Sequence, residues 1–287
     1  MENKIKNVVL LTNAYKDKGL RLFGEVMSYL LSEGFGVRTS DAFADACDPR
    51  VALYTDMRDL FRGADAAVLI GGDGTILNAA AYAIPMGCPM IGINLGRKGY
   101  MAELEPDEYS MLSRLACGDY RIEERMTLRV ETEINGTRTV LSENALNDAV
   151  VKHATGMRCV DLSLYCDSAS VLDCRGDGMV IATPTGSTAY ALAAGGPVLD
   201  PVLRCINIVP ICSVSPAAKP LVFSGNNAIT VENVFDRDDH ALLSVDGMIN
   251  VPLPYGGKVI CTGAEKSARM IKLKDNKFFS VLRDKIN

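Results

Sequence analysis

Five consecutive apolar residues at 66–70 run straight into Gly71-Gly72-Asp73-Gly74-Thr75, and residues 76–84 follow with helical character as far as Pro85. A strand apolar at every position is covered on both faces, as strands are inside a parallel sheet flanked by helices. Three glycines behind such a strand let the backbone approach a ligand closely. The helix after them offers unpaired N–H groups to phosphate. Asp73 sits at the carboxyl end of the strand, where open α/β sheets bind their ligands. The pattern is not G-x-G-x-x-G, because Leu77 stands where glycine is needed, and no Gly-Lys-Ser/Thr follows to make a P-loop.

The neighbouring residues extend the alternation. Strands are expected at 7–12, 36–40 and 89–94, and a helix at 16–33 stopped by Gly34. Beyond residue 120 the texture changes to short strands at 127–134, 137–142, 146–152, 160–166, 171–174, 179–183, 206–211, 228–234, 241–245 and 258–262. Asn135-Gly136 forms a hairpin signal between the first two. The expected fold is therefore α/β followed by all-β. An N-terminal Rossmann-like α/β domain at 1–120 carries the GGDGT loop, and a C-terminal β-sandwich-type domain occupies 121–265. The charged, mixed stretch at 266–287 is a candidate to pack back on the first domain.

With 287 residues, 48% hydrophobic and 23% charged, the chain has material for two cores. A net charge of −5 argues against a nucleic-acid or anionic-membrane partner. No run of about 18 apolar residues is present, and the start has only a strand-length apolar stretch, so a cytoplasmic protein is expected. Nine scattered cysteines without a C-x-x-C pair, beside two histidines, read as reduced apolar residues, and no metal ligand set is assigned.

Two further clusters carry polar chemistry. Arg175-Gly176-Asp177-Gly178 precedes an apolar strand, and Thr183-Pro184-Thr185-Gly186-Ser187-Thr188-Ala189-Tyr190 follows it, with Gly195-Gly196-Pro197 beyond. Hydroxyls and glycine so concentrated suit a ligand with several oxygens, and Tyr190 adds an aromatic face. Asn147-Asp148, at the mouth of another apolar strand, offers adjacent donor and acceptor groups that can bracket a ribose diol or an amide.

Taken together, the GGDGT motif, the Asn147-Asp148 pair and the run GDGMVIATPTGSTAYALAAGGP at 176–197 resemble the NAD kinase family. GGDGT alone is shared with diacylglycerol, sphingosine and some phosphofructokinases, so the longer run carries the resemblance. It implies that Asp73 is the carboxylate acting on the attacking 2′-hydroxyl of the adenosine ribose of NAD. Gly72, Gly74 and Thr75 would shape the donor phosphate site. Asn147 and Asp148 would hold the adenosine, Asp177 the nicotinamide end, and Thr185, Thr188, Ala189 and Tyr190 would line the dinucleotide pocket. It further implies Mg²⁺ or another divalent cation with ATP, and a homodimer or homotetramer. The family's usual Asn-x-Gly-x-Leu-Gly-Phe stretch is replaced by Asn94-Leu95-Gly96-Arg97-Lys98-Gly99-Tyr100. There Tyr100 is expected to stack as Phe does, while Arg97 and Lys98 read either as phosphate contacts or as solvated charges. A lipid kinase of the diacylglycerol or sphingosine type is the first alternative, opposed by the TPTGSTAY run. A non-catalytic dinucleotide sensor is the second, opposed by the presence of Asp73.

Overall fold

The computed structural model describes residues 4–97, 99–154, 158–215, 217–234, 241–275 and 277–286, so Lys98 lies outside the described residues. It divides into two compact units, residues 1–124 with 268–287 and residues 125–267.

The first unit threads β1 (Asn7–Thr12), α1 (Arg21–Ser32), β2 (Gly36–Ser40), β3 (Ala52–Tyr54), α2 (Met57–Phe61), β4 (Ala66–Gly71), α3 (Asp73–Ala83), β5 (Met90–Asn94), α4 (Ser113–Cys117) and β6 (Arg121–Arg125). Strands β3-β2-β1-β4-β5 lie side by side in that order with parallel pairing. Every residue of β4 and β5 is buried, as the unbroken apolar runs require. Leu22, Phe23, Val26, Met27 and Leu30 form the inner stripe of α1 and pack with Val8, Leu10, Val68, Ile70 and Ile91. The helix expected at 16–33 begins only at Arg21. Gly19 and Leu20 take left-handed φ of 68° and 54°, and the buried Asp17 carboxylate instead accepts the N–H groups of Leu22 and Phe23 at 3.0 and 2.9 Å.

The second unit contains β7 (Leu128–Ile134), β8 (Thr137–Ala145), β9 (Asp148–His153), β10 (Val160–Cys166), β11 (Ala169–Gly176), β12 (Gly178–Ala182), α5 (Tyr190–Ala193), β13 (Cys205–Ile211), β14 (Leu221–Ser224), β15 (Ile229–Asn233), β16 (Ala241–Val245), β17 (Ile249–Leu253) and β18 (Lys258–Gly263). They form two six-stranded sheets, β11-β10-β15-β18-β7-β8 and β14-β13-β12-β9-β16-β17. Alternate residues of both sheets, among them Val130, Leu162, Val231 and Val259 from one and Val151, Ile181, Ile208 and Leu243 from the other, share one core, so the unit is a β-sandwich. The Asn135-Gly136 turn has φ of 52° and 76° and joins Ile134 to its partner Thr137, as a two-residue hairpin demands.

After the sandwich the chain returns to the first unit's sheet as β19 (Ala268–Lys272), seated between β5 and β6, followed by α6 (Lys277–Ile286). Among the described residues, no helix is long and apolar enough to cross a membrane.

Candidate functional site

In the first unit the strand order reverses between β1 and β4, and their carboxyl ends therefore bound the crevice in which such sheets take ligands. Backbone bonds tie this edge together: Asn13 N–H donates to the Ile70 carbonyl at 2.9 Å, and Leu95 N–H to the Gly71 carbonyl at 2.9 Å. The helix expected at 76–84 starts earlier, at Asp73, with Gly72 as its N-cap. The GGDGT motif is thus half strand end and half first helical turn, and Asp73 meets the positive end of α3. Its two carboxylate oxygens accept N–H groups from Tyr100 at 2.9 Å and Met101 at 3.0 Å, which fixes their orientation. Gly99 is needed there, because a Cβ on it would lie 2.1 Å from Asp73 Oδ1. Thr75 Oγ1 is buried with no hydrogen-bond partner. The Tyr100 ring packs against Phe278 of α6, with centroids 6.1 Å apart, and burial beside the Asp73 charge raises its phenol pKa. A cavity of about 690 Å³ opens here, lined by Lys16, Lys18, Gly72, Asp73, Gly96 and Arg97 among others.

In the second unit Asn147 and Asp148 lie at the start of β9, both nearly buried. That strand starts two residues later than expected, because the N–H groups before it leave the ladder. Leu146, Asn147 and Asp148 donate at 2.8, 2.8 and 3.0 Å to one carboxylate, Asp246, about a hundred residues on in sequence. Burial, and then the neighbouring Asp246 charge, push the Asp148 carboxyl up to about 7. Asp246 is also raised by burial, against the pull of its three N–H donors.

The TPTGSTAY segment closes over this pair. Thr183 donates its N–H to the Asn147 carbonyl at 2.8 Å and its hydroxyl to the Leu146 carbonyl at 2.6 Å. Gly186 presses on the same peptide, since a Cβ would fall 2.1 Å from the Asn147 carbonyl oxygen. Asn147 Oδ1 and Thr185 Oγ1 are buried without partners, so the spot retains hydrogen-bonding capacity that a polar ligand can use. Thr188 donates its hydroxyl to the Thr185 carbonyl at 3.1 Å, Ala189 is partly buried, and Tyr190 is exposed. Asp177, in the tight link between β11 and β12, is exposed and donates its N–H to the Ile211 carbonyl.

The structure thus gathers Gly72, Asp73, Gly74, Thr75 and Tyr100 in one unit and Asn147, Asp148, Thr185, Thr188, Ala189 and Tyr190 in the other. Asp246 is not legible in the sequence as a site residue. It stands in a hairpin turn before Gly247, at φ 49°, where Asp ordinarily needs no further reason.

The ATP-NAD kinase N-terminal domain profile matches residues 8–120 and the ATP-NAD kinase C-terminal domain profile matches residues 146–273. An NAD kinase of Moorella thermoacetica is 40% identical over 98% of this chain and 89% of its own length. Among solved structures, an NAD kinase from Archaeoglobus fulgidus in complex with ATP superposes with a TM-score of 0.72 at 26% identity, covering 98% of each chain. Yeast NADH kinase complexed with NADH superposes with a TM-score of 0.90 at 19% identity, over 99% of this chain and 88% of that one, a likeness of fold.

Proposed function

The chain belongs to the NAD kinase family of phosphotransferases, and on that premise we propose which residues, donor and metal carry the transfer. The 2′-oxygen of the adenosine ribose of NAD attacks the terminal phosphorus of ATP. A new O–P bond forms, the bond to the bridging oxygen breaks, ADP leaves, and NADP is the product. The proton of the hydroxyl goes to Asp73. The observation that carries this reading is the Asp73 carboxylate itself, held by two N–H groups at the lip of the sheet's switch point. Such a positioned base contributes about 10²–10⁴ in rate, and the remaining catalysis of phosphoryl transfer is positioning and charge neutralisation.

Gly72, Gly74 and Thr75 shape the donor side. Asn147 and Asp148 hold the adenosine, using the unpaired Asn147 Oδ1 and the buried carboxyl, with Thr185, Thr188, Ala189 and Tyr190 around the dinucleotide and Asp177 at its nicotinamide end. Among the described residues no three His, Cys, Asp or Glu side chains gather as a metal cage. A magnesium ion arriving on the triphosphate would need only one or two protein carboxylates, and Asp73 is the carboxylate that lines this cavity and would hold it. Such an ion would supply positive charge against the charge that develops on the donor phosphates. A cytoplasmic homodimer or homotetramer completes the proposal.

The test is NADP⁺ formation from NAD, ATP and Mg²⁺, read through an NADP-specific dehydrogenase. Asp73→Asn keeps the shape and removes the base, so turnover falls by at least about 100-fold while the KM for NAD stays within a few-fold. Near-normal turnover in that variant would remove Asp73 from the mechanism. Phosphorylation of lipid vesicles in place of NAD would overturn the substrate.

A further inference from the structure

The cavity beside Asp73 is electrostatically out of keeping with the rest of the chain. The protein carries a net charge of −5, yet the side chains lining this cavity include three cations, Lys16, Lys18 and Arg97, against one acid, Asp73. Of the three, Lys16 is the most closely aimed. Its Nζ stands over the first glycine of the helix cap, 3.0 Å from where a Cβ on Gly72 would be and 3.9 Å from the same point on Gly96. It forms no ion pair among the described residues, with Asp73 or any other acid. Asp73 is the one anion lining the cavity, and its carboxylate is already held by the Tyr100 and Met101 N–H groups, so three cations beside the N-terminus of α3 leave a positive surplus that an anionic ligand neutralises.

The loop that presents Lys16 is built rather than loose. Asn13 Oδ1 accepts the N–H groups of Tyr15 and Lys16 at 3.2 Å, and the Asn13 carbonyl accepts those of Lys16 and Asp17 at 3.0 and 2.9 Å. On the other side the buried Asp17 carboxylate accepts the Thr12 hydroxyl at 3.1 Å and caps α1. Asn13 N–H is itself bound to the last apolar residue of β4. The backbone of Lys16 is therefore pinned between the two strands that define the switch point, and only its side chain has freedom left to adapt.

We propose that Lys16 is the cation that binds the polyphosphate of the phosphoryl donor, completing with the α3 N-terminus the anion site of this cavity. The inference rests on the kinase reading for its substrate, but its binding chemistry can be judged without turnover. An ammonium-to-phosphate contact contributes as a charge-assisted hydrogen bond, so its loss reads as about a 10–100-fold change in affinity.

Two measurements on the intact protein decide it. Calorimetric titration with inorganic tripolyphosphate compares wild type with Lys16→Ala and Lys16→Arg. The alanine variant is expected to bind at least about 10-fold more weakly, with a shallower salt dependence, and arginine to restore much of the loss. Steady-state rates then separate the two substrates: the KM for ATP rises by a similar factor, and the KM for NAD changes by less than about threefold. Lys16 is exposed, so unchanged thermal melting checks that the fold is intact. Equal tripolyphosphate binding with and without Lys16, no binding by wild type, or an effect confined to the KM for NAD would each overturn the proposal. A wild type that binds tripolyphosphate through Lys16 yet forms no NADP⁺ would sink the kinase reading and leave the anion site standing.

Discussion

Asp148 is buried and Asp246 half-buried beside it in the sandwich, and only Asp246 has a full set of N–H donors. The burden of charge therefore falls on Asp148, whose pKa stands at about 7 against an ordinary 3.8. An acid whose folded-state pKa is raised holds its proton in the folded chain while the unfolded chain has lost it. Its contribution is favourable at low pH and disappears as pH climbs from about 4 through about 7. Asp148→Asn keeps the shape and cannot ionise. In the ligand-free protein it should be more stable than wild type at pH 8, on the order of 2–4 kcal/mol, with the gain shrinking toward pH 5. Urea unfolding at several pH values measures this, and a gain independent of pH would contradict the assignment. The same variant should bind NAD more weakly, because a neutral amide replaces the carboxylate proposed to accept the ribose hydroxyls. Wild type should also release a fraction of a proton on binding NAD near pH 7, which calorimetry in buffers of different ionisation enthalpy detects. Asp246 could not be singled out from the sequence for the same reason that it works. A short acid in a left-handed turn position satisfies local geometry on its own account, and only the folded chain shows its three distant N–H donors.

Among the elements, apolar periodicity located the strands whose environment is uniform. β10 and β16 begin and end where their β-rich alternation does, and β4 could hardly be anything but an interior strand. Elements whose termini are set by side-chain bonds were displaced, as α1 was by Asp17 and β9 by Asp246. Short or edge strands escaped: β3 has three residues, and β17, at the edge of its sheet, carries Pro252. The candidate site was readable because close backbone approach leaves glycine as its trace. At Gly186 the segment after β12 lies directly on the peptide that carries Asn147, fastened by the two Thr183 bonds. A single methyl there cannot be accommodated by a flexible side chain, since the obstacle is backbone. Gly186→Ala should lift the segment, destabilise the protein by about 1–3 kcal/mol, and raise the Kd for NAD by an order of magnitude or more. Equilibrium unfolding and nucleotide titration read the two effects. Unchanged nucleotide affinity in a variant that has lost stability would detach this turn from the binding site.

The sheet of the first unit is completed by residues that follow the whole second unit in sequence. β19 sits between β5 and β6 and buries Ala268, Met270 and Ile271, although two of the five residues in its sequence, Ala-Arg-Met-Ile-Lys, are charged. The charge that hides the strand from a hydropathy reading is neutralised in place. Lys272, 6% exposed, pairs with Glu103, 1% exposed, and the same carboxylate accepts the N–H groups of Leu273 and Lys274 at 2.9 and 2.7 Å. A buried pair of this kind adds little net stability over an apolar substitute, but removing one partner strands the other charge. Lys272→Met should therefore cost about 3–5 kcal/mol, while the double variant Lys272→Met with Glu103→Gln recovers most of it, because the amide keeps an oxygen for the two N–H donors. The chain has no tryptophan, so circular dichroism in a urea gradient is the suitable readout. Recovery in the double variant would show that the tail is pinned by charge compensation across 169 positions of sequence separation, Glu103 to Lys272. Equal losses in the single and double variants would mean instead that the Lys272 stem, through its packing, is what seats the last strand.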